Sequence, residues 1–243
     1  MRPLVLLARE SLRGPLAGLP RRLAAAGYDA WVLPHPYHLP EDSRIWREIA
    51  ARKGPVIGFL PLHPRPIEAL MRRHGAWPPG SLARDIRPWK TPKAAADGLG
   101  PPPAPTRGPG AVRTFRAPRI QRWYPLMDES RCINCGSCLQ FCLFGVYGRS
   151  EDGRVRIVHP DRCKPGCPAC SRICPRGALM FPLYTEDEAI AGAPGLFPKP
   201  KADERRRLSS FRTPAQGKGS KGRTPDELDA LLEGLEKLQE GRR

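Results

Sequence analysis

No cysteine lies outside residues 132–174, although the 243-residue chain has eight of them. A disulfide scaffold marks a small secreted chain, and "MRPLVLLARE" shows no secretory signal, because its apolar run stops at Arg9 and Glu10. No apolar stretch approaches the length that crosses a bilayer. The expected setting is therefore a reducing, cytoplasmic compartment, where clustered cysteines point to metal. The three-glycine dinucleotide fingerprint is missing as well. "RGPLAG" has only Gly14 and Gly18, and no Walker-type lysine follows. Neither a flavin fingerprint nor a nucleophile–base pair stands out, so no catalytic residue is assigned. A self-contained oxidoreductase is not expected.

Proline and glycine, by contrast, are plentiful at 31 and 24, too many for one compact domain. The formal charge of +17 is uneven: residues 1–121 hold 20 Lys/Arg against 8 Asp/Glu, and residues 122–184 hold 9 against 5. Arginine without interleaved aromatics is a weak nucleic-acid signal. It serves equally to attract an acidic protein or simply to solvate a surface.

Residues 1–76 read as a small α/β domain of order βαβαβα with a parallel sheet. "LVLLA", "AWVL" and "PVIGFL" are its strands. A helix from Ser11 carries Leu12, Leu16, Leu19 and Leu23, and Gly27 ends it. A second is capped by Ser43 and ends at Gly54. A third runs through Ile67, Leu70 and Met71 to Gly75. Open α/β sheets bind ligands at the carboxyl ends of their strands, where His35, His38 and His63 fall. They either line a pocket or are plain loop histidines. Residues 77–121, with ten prolines, read as an extended linker. Residues 185–223 are polar and expected to be disordered. Residues 224–243 form a helix with Thr224 as cap, Pro225 at the first position and Glu227 completing a capping box. Its stripe of Leu228, Leu231, Leu232, Leu235 and Leu238 docks on a partner or on the protein itself.

The cysteines form two related runs. The first is Cys132-x2-Cys135-x2-Cys138-x3-Cys142. The second is Cys163-x3-Cys167-x2-Cys170-x3-Cys174, followed by Pro175. "SRC" answers "DRC", and "CLFGVY" answers "CPRGAL", at an offset of 31 or 32 residues. Three thiolates on a tight loop can reach three irons of one cubane, and small residues such as Gly136 and Ser137 let amide groups face the sulfurs. Zinc also accepts such spacings, but the repeated run with its trailing Cys-Pro fits iron–sulfur better. The spacing of Cys163, Cys167 and Cys170 also occurs in radical S-adenosylmethionine enzymes. Those enzymes need a large barrel, and an aromatic usually stands where this chain has Ala169.

Residues 122–184 resemble the bacterial-type ferredoxins that carry two [4Fe–4S] clusters. The resemblance implies an α+β ferredoxin-like fold with short antiparallel strands, for which "YPLMD", "RVRIV" and "ALMFPLY" are candidates. It also implies one-electron transfer to a redox partner such as a reductase or dehydrogenase. With the repeat, it implies exchanged ligands: Cys132, Cys135, Cys138 and Cys174 for one cluster, and Cys163, Cys167, Cys170 and Cys142 for the other. Two departures stand out. Leu143 replaces the proline that usually follows the fourth cysteine, and Lys164-Pro165-Gly166 lengthens the second loop by one residue. The competing readings are a basic binding protein with structural clusters and an oxidoreductase subunit whose α/β unit holds a ligand.

Overall fold

The computed structural model describes residues 2–102, 108–118, 120–199 and 201–202. A five-stranded parallel sheet forms the first half: β1 (Leu4–Ala8), β2 (Asp29–Leu33), β3 (Val56–Leu60), β4 (Leu82–Asp85) and β5 (Val112–Thr114), in spatial order β4-β3-β1-β2-β5. β1 and β3 are buried along their whole length. That is why they read as unbroken apolar runs and not as alternating ones. Helices cover both faces. Ile45, Trp46 and Ile49 of α2 (Arg44–Ala50) and Ile67, Leu70 and Met71 of α3 (Pro64–Arg73) meet Leu4 and Leu6 on one side. Leu19 and Leu23 of α1 (Leu19–Ala25) and Ala95 of α4 (Pro92–Leu99) meet Val5, Leu7 and Phe59 on the other.

Local chemistry sets the element ends. Ser43 Oγ accepts the Ile45 N–H at 3.3 Å, capping α2. The helix expected from Ser11 starts only at Leu19; before it lie two 3-10 turns, Arg9–Leu12 and Gly14–Leu16. Pro20 explains this, since proline fits only the first turn of a helix. Gly58 lets α3 lie close on β3, because a Cβ there would stand 2.4 Å from Ile67 Cγ2.

The segment 77–121 is not simply a linker. It supplies β4, α4 and β5, the two outer strands of the sheet and a helix between them. Its strands are edge strands, with β5 fully exposed and β4 alternating between exposed and half-buried, so backbone pairing builds them with little apolar signature. Pro92 occupies the first turn of α4, where its missing N–H costs nothing, and Thr91 Oγ1 accepts the Ala94 N–H at 3.2 Å. The start of the segment 185–223 is likewise folded: α7 (Glu188–Ala191) buries Ile190 completely. The helix expected at 224–243 lies outside the described residues.

The cysteine-bearing half is built of two similar pieces. β6 (Leu126–Met127) pairs antiparallel with β9 (Leu179–Met180), and β7 (Tyr147–Arg149) with β8 (Val155–Ile157). Two one-turn helices, α5 (Ser137–Phe141) and α6 (Ala169–Ile173), pack together between them. The candidate strands "YPLMD", "RVRIV" and "ALMFPLY" contain β6, β8 and β9, and β7 has no counterpart among them.

The two halves share one core, in which Trp31, Tyr37 and Leu70 join Tyr124, Tyr147 and Phe181. Tyr37 and Tyr124 stack at 4.4 Å between ring centres. The Tyr37 hydroxyl donates to the Tyr124 carbonyl at 2.5 Å and accepts the Tyr124 N–H at 2.8 Å, while the Tyr124 hydroxyl donates to the Tyr37 carbonyl at 2.9 Å. Arg122, 8% exposed, donates to Asp161, Glu41 and the Leu39 carbonyl, with its guanidinium over the Tyr124 ring. Arg65 of α3 reaches Asp128 and the Gly177 carbonyl. Replacing Tyr37 by phenylalanine keeps the stack but leaves the Tyr124 N–H and carbonyl unpaired. Denaturant unfolding of Tyr37→Phe should show a loss of about 1–3 kcal/mol; a loss near zero would mean that the hydroxyl does not tie the halves together.

Candidate metal centre

All eight cysteines are free thiols, and they gather around two cavities. One is lined by Cys132, Cys135, Cys138 and Cys174. The other is lined by Cys142, Cys163, Cys167 and Cys170. Each cavity thus takes three sulfurs from one loop and a fourth from the other half of the repeat. Among the described residues no three His, Cys, Asp or Glu side chains converge on a point where one ion would sit. The thiols ring a space instead, an arrangement suited to a polynuclear centre and not to one tetrahedral ion.

Backbone geometry shapes the first loop. Asn134 (φ 56°) and Gly136 (φ 78°) are both left-handed, which curls the chain between Cys132 and Cys138. An asparagine tolerates this conformation better than most residues, and its side chain is tied down. Asn134 Oδ1 accepts the Val155 N–H at 2.8 Å, and Nδ2 donates to the Gly153 carbonyl at 3.2 Å. The loop is thereby fastened to the β7–β8 hairpin. In the second loop Gly166 (φ 76°) makes the corresponding bend inside the inserted Lys164-Pro165-Gly166. Trp123 Nε1 donates to the Cys167 carbonyl at 3.2 Å, and the Trp123 ring stacks on Phe181. The Ala178 N–H points at Cys174 Sγ at 3.3 Å, the kind of amide-to-sulfur contact that stabilises a thiolate. Sequence reasoning missed Asn134 and Trp123, whose parts depend on contacts 19 or more residues away in the chain.

The donor set fits iron–sulfur ligation. Burial pushes the Cys138 thiol up to about 12, and its neighbours Cys174, Cys135 and Cys132 add to the effect. Burial likewise pushes Cys163 up to about 12, with Cys167 and Cys142 contributing, and raises Cys170 strongly. Ionisation of these three thiols is disfavoured unless positive charge binds beside them, and a metal centre provides it. The two sets differ in depth. Cys135 is exposed, whereas Cys163 and Cys170 are 9% and 8% exposed. By the exposure of their thiols alone, the first set is termed outer and the second inner. Leu143, the residue in place of the usual proline, is 73% exposed at the lip of the inner cavity.

Of the three histidines at the carboxyl edge of the sheet, His38 and His63 have hydrogen-bonding partners, and the buried His35 Nδ1 meets none among the described residues. His38 Nδ1 accepts the Arg122 N–H at 3.1 Å. His63 sits between Glu188 at 2.5 Å and Arg87 at 3.2 Å. His35 is buried, and burial followed by the nearby His38 lowers its pKa to about 4. Many N-terminal arginines are also engaged: Arg52 pairs with Asp29, Arg72 with Glu68, Arg73 with Glu41, Arg87 with Asp85 and Arg113 with Glu48. No helix among the described residues is long and apolar enough to cross a membrane.

No protein-family model matches the chain. Curated proteins do. An uncharacterized ferredoxin of Methanocaldococcus jannaschii is 44% identical over 61 residues, which is 25% of this chain and 41% of that protein. The chain therefore spans only about two fifths of that relative. The pyruvate synthase subunit PorD of the same organism is 36% identical over 70 residues, 29% of this chain and 70% of the relative. Ferredoxin-3 of a Nostoc species is 34% identical over 67 residues, 21% of this chain and 68% of the relative. Each match covers no more than a third of this chain and leaves the rest of it, including most of the α/β half, without a counterpart. By these likenesses the chain belongs to the bacterial-type ferredoxins, the iron–sulfur proteins of electron transport, through its cysteine-bearing segment.

Proposed function

We propose that this protein is an electron carrier with two [4Fe–4S] clusters, exchanging one electron per cluster with a redox enzyme in the cytoplasm. The observation that carries the reading is the partition of the eight thiols into two cavities, each completed by a sulfur from the opposite half. Cys132, Cys135, Cys138 and Cys174 hold the outer cluster; Cys163, Cys167, Cys170 and Cys142 hold the inner one. The clusters supply the one-electron chemistry. The protein's part is to hold the sulfurs, exclude water and place hydrogen bonds that set the potentials. The exposed Cys135 edge is where a partner comes nearest to a cluster. That one relative is called a pyruvate synthase subunit supports an oxidoreductase as that partner. The α/β half, joined to the cysteine-bearing half through Tyr37 and Tyr124, is read as the part that docks on or belongs to that enzyme.

Anaerobically purified protein should be brown and contain about eight iron and eight sulfide per chain, as two four-iron clusters require. Four iron, or stoichiometric zinc, would refute the two-cluster reading. Cys142→Ala tests the exchange of ligands. It should damage the inner cluster and leave the paramagnetic spectrum of the outer one intact, and the opposite pattern would overturn the assignment. Redox-silent clusters together with salt-steep binding to DNA or RNA would move the function to nucleic acid instead.

A further inference from the structure

Tyr147 opens β7 and is only 5% exposed. Its ring packs in the shared core, opposite Ile157 in the strand register, and lines the inner cavity. Its hydroxyl is enclosed and meets no well-aligned acceptor among the described residues. A buried hydroxyl without a partner is costly, and native proteins rarely keep one. The groups that face it are sulfurs: Cys170 foremost, then Cys138 and Cys142. Cys170 and Cys142 line the inner cavity, as Tyr147 itself does, and Cys138 lines the outer one. A neutral thiol is a weak acceptor. A thiolate sulfur bound to iron carries negative charge and accepts well. The phenol therefore gains its partner when Cys170 becomes a ligand.

We propose that the Tyr147 hydroxyl donates a hydrogen bond to the Cys170 sulfur and so raises the reduction potential of the inner cluster. This rests on the reading that Cys170 is a ligand of that cluster. Reduction adds a negative charge to the cluster and its sulfurs. A fixed donor in a dry interior stabilises the more negative state more than the oxidised one. The outer cluster, approached only through Cys138, is affected less. Tyr147 is thus a positioning residue that separates the potentials of two otherwise similar sites.

The test is a redox titration of the full chain with assembled clusters, each followed by its own paramagnetic signal. Tyr147→Phe keeps the ring and its packing. It should disfavour reduction of the inner cluster about tenfold, a fall of about 59 mV for one electron, and leave the outer cluster nearly unchanged. Site-specific 3,5-difluorotyrosine at position 147 makes the phenol a stronger donor and should shift the inner potential the opposite way. If phenylalanine prevents assembly, the fluorinated chain still gives the answer. An inner potential that the fluorinated residue does not move, or equal shifts of both clusters, would overturn the proposal. Iron and sulfide well below eight in the parent chain would instead overturn the two-cluster reading, so the two failures are told apart.

Discussion

Each four-thiol cavity is closed by a sulfur from the other half of the repeat, and everything else in the cysteine-bearing segment serves that exchange. Cys142 and Cys174 follow one-turn helices that pack directly against each other. The helix ends carry the two sulfurs across the middle. Neither cavity can form from its own loop alone, so both halves must fold together. The same closeness keeps buried thiols protonated in the absence of metal, because burial and neighbouring sulfurs both disfavour charge. Metal binding and folding are therefore coupled in this segment.

The α/β half is built into the same arrangement. The all-parallel sheet needs cover on both faces, and four helices provide it. The loop after β2 then presents Tyr37, whose ring and hydroxyl engage Tyr124 at the start of the cysteine segment. Arg122, next to it, is buried against Asp161 and Glu41. A charge in that position is stable only because it is paired and hydrogen-bonded on several sides. The outer set is exposed at Cys135. The two sets thus differ in the burial of their thiols: Cys135 of one is exposed, and Cys163 and Cys170 of the other are buried.

Much of this could be read in the chain. The buried strands β1, β2 and β3 show as apolar runs because both their faces are covered. The cysteine repeat shows both the four-cysteine runs and the pairing of their halves, because ligand spacing is a local property. The prolines of 77–121 misled. A proline count reports lost donors, but Pro92 sits where no donor is needed, and β4 and β5 are edge strands held by backbone pairing that side chains do not advertise.

The sequence by itself determined which residues are thiols, how they repeat, and that a ferredoxin-like segment follows an α/β segment. Only the tertiary structure decided which of the two thiol sets is the more buried, and that His38 and His63 have hydrogen-bonding partners. It also placed Asn134, Trp123 and Tyr147 at the cavities. The physical reason is range. Ligand spacing and apolar periodicity act over a few residues, whereas burial, cavity sharing and the fate of a lone hydroxyl depend on contacts between residues far apart in the chain.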